Sequence, residues 1–216
     1  MDIKESYDLW SEKYDVDLNK TRDLESYALN IALRDYEFGN CLELGCGTGK
    51  NSELLLSKAN NVTAVDFSEK MLEKAKEKVK SSNIRFIEGD LNNDWSFAAG
   101  QKFDLVVFSL VLEHIENLHE VFAKLRNVTS ESAMVYIGEL HPFKQYTGSQ
   151  ARFEYEKITH QVTCFTHHVS EFTKAARENG FTLTEIEEYF DLDGKKGIPR
   201  ILALLFSKGK ILNSLP

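Results

Sequence analysis

Four short stretches of this 216-residue chain place chemically useful side chains directly after apolar runs. The first is Glu43-Leu44-Gly45-Cys46-Gly47-Thr48-Gly49-Lys50-Asn51, where a carboxylate precedes three alternating glycines and a helical pattern begins at once. Such a turn lets the backbone approach a nucleotide and aims a helix N-terminus at it. A phosphate-binding P-loop needs Gly at position 44, which is Leu, and Ser or Thr at 51, which is Asn. A dinucleotide fingerprint needs Gly at position 50, which is Lys. The second stretch, Asn61 to Asp66, ends in a carboxylate about 20 residues beyond the turn, the spacing of a ribose ligand. Ionised, Asp66 can accept both ribose hydroxyls, and Phe67 can lie against a purine face. The third, Glu88-Gly89-Asp90-Leu91, offers an acceptor for an exocyclic amino group. The fourth runs from Ser109 to His114. Imidazole titrates near neutral pH, so His114 and His141, each close behind an apolar run, are the candidate general bases.

These groups converge only if the runs are parallel strands. Asn40–Leu44, Asn61–Asp66, Ile84–Glu88, Phe103–Ser109 and Ala133–Leu140 read as strands, and apolar periodicity between them reads as helices over 48–58, 68–82 and 118–128. Alternation of this kind implies right-handed crossovers, a parallel sheet and ligands at the strands' C-terminal ends. All four stretches fall at such ends. Two amphipathic helices precede the first strand, the second capped at Thr21 or Asp23; Tyr7 and Trp10 read as core, while Tyr14 and Arg22 read equally as core or as lid residues over the ligand. Residues 141–168 interrupt the alternation, as functional lids and binding loops do. Within them Tyr146 and Arg152 are candidate contacts to a substrate, Arg152 suiting a carboxylate or phosphate. The alternating stretch Phe153 to Phe165 offers an edge for a homodimer. Phe181–Tyr189 and Ile201–Phe206 have no helix between them and read as an antiparallel pair.

As a set, Glu43 to Gly49, Val65-Asp66-Phe67-Ser68, Glu88-Gly89-Asp90 and Phe103-Asp104-Leu105-Val106 resemble the class I S-adenosylmethionine (SAM)-dependent methyltransferases, in the broad group of the ubiquinone, menaquinone and malonyl-carrier-protein pathway enzymes. The resemblance spans about Tyr7 to Phe206. It implies a three-layer α/β sandwich: a seven-stranded, mostly parallel sheet with an antiparallel last strand, an N-terminal helical lid and an insertion after strand five. One domain would cover 1–216, with 1–38 as cap and 141–168 as substrate lid. It implies SAM as cofactor, with Asp66 on the ribose, Asp90 on the adenine, and Gly45, Cys46, Gly47, Gly49 and Ser109 around the methionine portion. Glu43 would support the ammonium. Tyr14, Arg22, Asn51, Phe67, Met71, Leu91 and His114 complete the implied cofactor set. The expected activity is in-line methyl transfer to a small molecule, with His141 or His114 as base. A SAM-binding module without catalysis and an NAD-dependent oxidoreductase are the alternatives.

Composition narrows the partners. A net charge of -8 argues against nucleic acid or an anionic membrane as the general partner. No apolar run reaches the length of a membrane span, and the charged Met1 to Glu5 lacks a signal-peptide core. Three unpaired cysteines suggest a reducing, cytoplasmic setting. His160, Cys164, His167 and His168 match no zinc spacing, so no metal is expected.

Overall fold

The computed structural model describes residues 2–155, 158–191 and 197–209. Two helices lead in, α1 (Ile3–Trp10) and α2 (Lys20–Ala32). Asp2 and Glu5 form a reciprocal capping box on α1. The cap of α2 is Asn19, whose side chain accepts from the Thr21 and Arg22 amides, rather than Thr21 or Asp23. The shorter Asx side chain two residues ahead reaches both orphan amides.

The alternation then unfolds as expected: β1 (Phe38–Leu44), α3 (Ser52–Lys58), β2 (Ala59–Asp66), α4 (Glu69–Lys78), β3 (Ile84–Glu88), β4 (Phe103–Ser109), α5 (Leu118–Val128) and β5 (Thr129–Leu140). The insertion holds a short helix, α6 (Pro142–Tyr146), and a hairpin, β6 (Arg152–Tyr155) with β7 (Ile158–Gln161). Beyond β7, the stretch to His168 is irregular, and residues 156 and 157 lie outside the described ones. Helix α7 (Val169–Glu178) stops at Gly180, whose φ of 83° is the left-handed conformation that ends helices. The strands β8 (Phe181–Tyr189) and β9 (Ile201–Lys208) are the last described elements.

The sheet order is β3-β2-β1-β4-β5-β9-β8. Strands β1 to β5 pair in parallel; β9 runs antiparallel to both β5 and β8. Leu42, Val106, Phe122, Phe172 and Phe206 pack on one face, and Leu29, Leu55, Leu72, Leu105 and Leu205 on the other. Two cores flanking one sheet make the three layers. Burying a Leu or Phe is worth about 1.5–3 kcal/mol, so these faces dominate the stability. The winding leaves β1, runs out to β3, and returns to β4 beside β1. The crevice outside the C-terminal ends of β1 and β4 is therefore the topological switch point, where open α/β sheets take their ligands. No described helix is long and apolar enough to cross a membrane.

Candidate functional site

At the switch point the chain makes two tight turns against each other. After β1, Gly45, Gly47 and Gly49 adopt φ of 75°, 52° and 74°. A Cβ on Gly45 would stand 2.5 Å from Val111 Cγ2 in the turn after β4. A side chain there is excluded twice, by backbone conformation and by space. On the β4 side, Leu110 holds φ 54°, a left-handed conformation unusual for a branched aliphatic residue and typical of strained functional sites.

Asp66 ties the glycine turn to β2. Its Oδ2 accepts from the Gly47 amide at 2.7 Å and its Oδ1 from the Ser68 amide at 2.9 Å. Burial pushes its carboxyl up from 3.8 to about 6, against the pull of those amides. Asp90 is half-buried and accepts from the Asn92 amide at 2.9 Å and from Asn92 Nδ2 at 3.1 Å. Asp66, Asp90, Gly47, Phe67 and Leu91 line one cleft, which Tyr14, Gly45, Ser109 and His114 also wall. The other expected cofactor contacts fall outside that lining. Arg22 is buried behind Tyr14, its guanidinium 4.0 Å from the ring centre and donating to the Tyr14 and Asp17 carbonyls. Cys46 and Gly49 form the back of the turn, where Gly49 packs 3.2 Å from Ala75 Cβ. Met71 is fully buried in α4.

Glu43 and Asn51 sit one layer behind the cleft. Glu43 accepts from Ser52 Oγ at 2.6 Å, and burial pushes its carboxyl to about 8. Asn51 does not cap α3 with its side chain. Its amide instead donates to Glu25 Oε2 at 3.0 Å and to Ser109 Oγ at 3.2 Å. Ser109 Oγ donates in turn to Glu25 Oε1 at 2.8 Å, and Tyr136 OH donates there at 3.3 Å. Glu25, which the sequence reading passed over, is thus the hub beneath the cleft, its carboxyl raised to about 7 by burial.

The histidines part company. His114 Nδ1 lies 2.9 Å from the Thr163 carbonyl, which can only accept, so that nitrogen carries the proton. Its Nε2 is left as acceptor for Tyr7 OH at 2.7 Å. His141 is the N-cap of α6: Nδ1 accepts from the Phe143 amide at 3.2 Å and Nε2 donates to Glu188 at 3.0 Å. Burial lowers its pKa. Both of its nitrogens are engaged, and its ring is not among the cleft's lining. Tyr146 is half-exposed, its OH 2.5 Å from His168 Nδ1. Among the described residues one group could hold a metal, Glu113, His114 and Cys164. It differs from the cluster weighed in the sequence.

A second, open cleft adjoins the first. The two share Tyr7, Tyr14 and Leu110, and the second adds Glu113 from the turn after β4 and residues 147–152 of the insertion, including Arg152. Helix α1 is held over the junction by Ser68 Oγ donating to Asp8 at 2.5 Å and by Trp10 stacked 5.4 Å from Phe153. Trp10 is the core residue expected, whereas Tyr7 works as a wall of both clefts.

A sequence-family profile described as a methyltransferase domain matches residues 41–132. That segment holds the glycine turn, both strand-end acids and the turn after β4. Residues 41–132 are a methyltransferase domain. Among curated proteins, nodulation protein S of Bradyrhizobium diazoefficiens is 29% identical over 103 residues, 47% of this chain and 48% of that protein. The malonyl-[acyl-carrier protein] O-methyltransferase of Priestia megaterium is 35% identical over 86 residues, 39% of this chain and 30% of that protein. The matched part thus spans under half the length of these relatives. Among solved structures, the N-methyltransferase NodS of Bradyrhizobium japonicum in complex with S-adenosyl-L-homocysteine aligns with a TM-score of 0.73 at 17% identity, covering 97% of this chain and all of that one. A putative SAM-dependent methyltransferase from Listeria monocytogenes aligns at 0.72 and 19%, covering 87% and 99%. The architecture is that of the class I methyltransferases, including the antiparallel β9 that a plain dinucleotide-binding fold lacks. Residues of the methyltransferase domain supply most of the first cleft; Tyr7, Tyr14 and Glu25 come from the helices ahead of it, and Arg152 from the insertion behind.

Proposed function

We propose that the chain is a SAM-dependent methyltransferase that transfers a methyl group to a small-molecule acceptor and releases S-adenosylhomocysteine (SAH). The observation that carries this reading is the pair of turns packed at the switch point, with Gly47 and Asp66 joined beside Asp90 in one cleft. Asp66 would take the ribose hydroxyls, Asp90 and Leu91 the adenine, and the Gly45–Gly49 turn with Ser109 the methionine portion. Glu43, Asn51 and Glu25 would hold that turn in shape from behind.

The sulfonium of SAM already activates its methyl group, so the protein must align a nucleophile and exclude water. The junction of the two clefts suits this: Tyr7, Tyr14 and Leu110 face both. Where the acceptor must lose a proton, Tyr7 oxygen can accept it while its own proton passes to His114 Nε2. The Thr163 carbonyl keeps His114 in the tautomer that can receive it. His141 fits a supporting part, fixing α6 at the start of the insertion. Arg152 at the rim of the second cleft would meet an anionic group of the acceptor, and the β6–β7 hairpin would offer an edge to a second copy.

The test is transfer of labelled methyl from SAM into the small-molecule and protein fractions of a cell extract, with Asp66→Ala as control. Label in small molecules that disappears in the control supports the proposal. Label confined to protein overturns the small-molecule acceptor, and absence of label from both fractions despite SAH binding points to a module without catalysis.

A further inference from the structure

The second cleft carries one carboxyl, Glu113, among the cations Lys20, Arg22, Arg152 and Arg200. Glu113 lines it next to Tyr7 and Leu110 and is only 7% exposed. Gln145 Nε2 donates to its Oε2 at a long 3.4 Å, and the neighbouring Cys164 thiol is a weak donor whose pKa is itself pushed up, to about 12, by burial and by Glu113. No described Lys or Arg forms an ion pair with Glu113.

A second carboxyl stands behind it. Glu139 is 3% exposed, and its Oε1 accepts from the Val111 and Leu112 amides at 3.0 and 2.8 Å, which fixes the backbone leading into Glu113. Its Oε2 is buried with no hydrogen-bond partner, and Glu113 is the charge that acts on it most strongly. The cleft's cations lie elsewhere. Arg200 is held bidentately by Asp191 at 2.5 and 2.8 Å, Arg22 is spent on two backbone carbonyls, and Lys20 and Arg152 are exposed. A buried carboxylate without a counter-charge is costly, and a cationic ligand removes that cost.

We infer that Glu113 is the acceptor-binding carboxylate and that the group methylated is an amine nitrogen. The inference rests on the methyl-transfer reading above and adds the acceptor's chemical class. An alkylamine, with a pKa near that of Lys at about 10, arrives as an ammonium and is held by Glu113 beside the cleft junction. It must lose one proton before attack. That proton passes to Tyr7 oxygen as the Tyr7 proton passes to His114 Nε2, leaving a neutral amine and an imidazolium. The nitrogen lone pair then forms the N–C bond, and the C–S bonding pair returns to sulfur. The products are a methylammonium and neutral SAH. A carboxylate or phosphate oxygen acceptor would instead bring like charge against Glu113.

The test uses the full chain, methyl-labelled SAM and the small-molecule fraction of a cell extract divided in two. One half has its amines acylated with the N-hydroxysuccinimide ester of acetic acid; the other is mock-treated. Label uptake should fall at least tenfold in the acylated half, and the label incorporated from the mock half should survive mild alkali. Equal uptake in both halves, or release of the label as methanol by alkali, overturns the amine assignment. Glu113→Gln should lower uptake at least tenfold while SAH affinity stays within twofold; unchanged uptake removes Glu113 from the acceptor site. Absence of label from both halves, with SAH bound normally, refutes small-molecule methyl transfer itself and the present inference with it.

Discussion

Replacing Asp66 by Asn separates what this residue does for the fold from what it does for the ligand. Both carboxylate oxygens accept a backbone amide, from Gly47 and from Ser68. Asn has only one acceptor oxygen, so one of those amides is left facing an NH2 group. An unsatisfied buried donor costs about 1–3 kcal/mol. Against this stands the burial of the native charge. Its pKa is raised from 3.8 to about 6, roughly two units, and at about 1.4 kcal/mol per unit the ionised form is destabilised by about 3 kcal/mol. A carboxyl with a raised folded-state pKa favours the fold below its unfolded value and loses that advantage as pH rises through about 6. About half of that advantage is already gone at pH 5, so Asp66→Asn should gain about 1.4 kcal/mol on wild type between pH 5 and pH 8, and should draw level with it or pass it by pH 8. SAH affinity should move differently. Each lost hydrogen bond from a ribose hydroxyl to a charged acceptor is worth about 1.5–3 kcal/mol, a weakening of about tenfold to about 150-fold. Thermal melts at pH 5 and pH 8, with SAH titrations at pH 8, read both quantities. A variant that is as stable as wild type yet binds SAH equally well at pH 8 would refute the reasoning.

Gly45→Ala should lower thermal stability and abolish SAH-induced stabilisation, because the new Cβ meets Val111 at 2.5 Å on a backbone with φ of 75°; an SAH-induced shift equal to wild type would contradict that. Glu25→Ala leaves Ser109, Asn51 and Tyr136 without their shared acceptor and should cost about 3 kcal/mol, at about 1 kcal/mol for each lost bond, measured by urea unfolding. Tyr7→Phe should reduce turnover by about 10²-fold while SAH affinity stays within about twofold, because proton transfer contributes on that scale and Tyr7 OH is the donor to His114. The buried carboxyls of Glu25, Glu43 and Glu139, raised from 4.5 to about 7, about 8 and about 8, should make the melting temperature of the ligand-free protein fall between about pH 4.5 and pH 8, where the unfolded chain releases protons that the fold retains. A melting temperature that rises over that interval would contradict this.

The parts of the site that lie on the glycine turn and the strand ends were legible because local rules place them. Three glycines with positive φ, acids at the ends of β2 and β3, and the segment after β4 need only the alternating pattern to bring them to one edge. The hubs behind the site were not, because tertiary contact decides them. Glu25 lies on an amphipathic helix whose other acid, Asp23, faces solvent; Glu25 packs on the bare backbone of Gly138 in β5, where a Cβ would stand 2.5 Å from Glu25 Oε1. A glycine inside an otherwise apolar strand, followed by Glu139, was the available signal of such a close approach. His141 was placed correctly along the chain, directly after β5, but position does not fix where a ring points: α6 begins there, and its free amide takes Nδ1. Tyr7 has the spacing of a core residue, and only the docking of α1 across the strand ends reveals it as a wall of both clefts.

The most direct measurement is a calorimetric titration of the wild-type chain with SAH, run beside NADH under the same conditions. The account predicts one SAH site per chain, weakened about tenfold or more by Asp66→Asn, and no saturable binding of NADH. Saturable NADH binding tighter than SAH, or SAH binding that Asp66→Asn leaves unchanged, would contradict the assignment of the cleft between β1 and β4 to SAM.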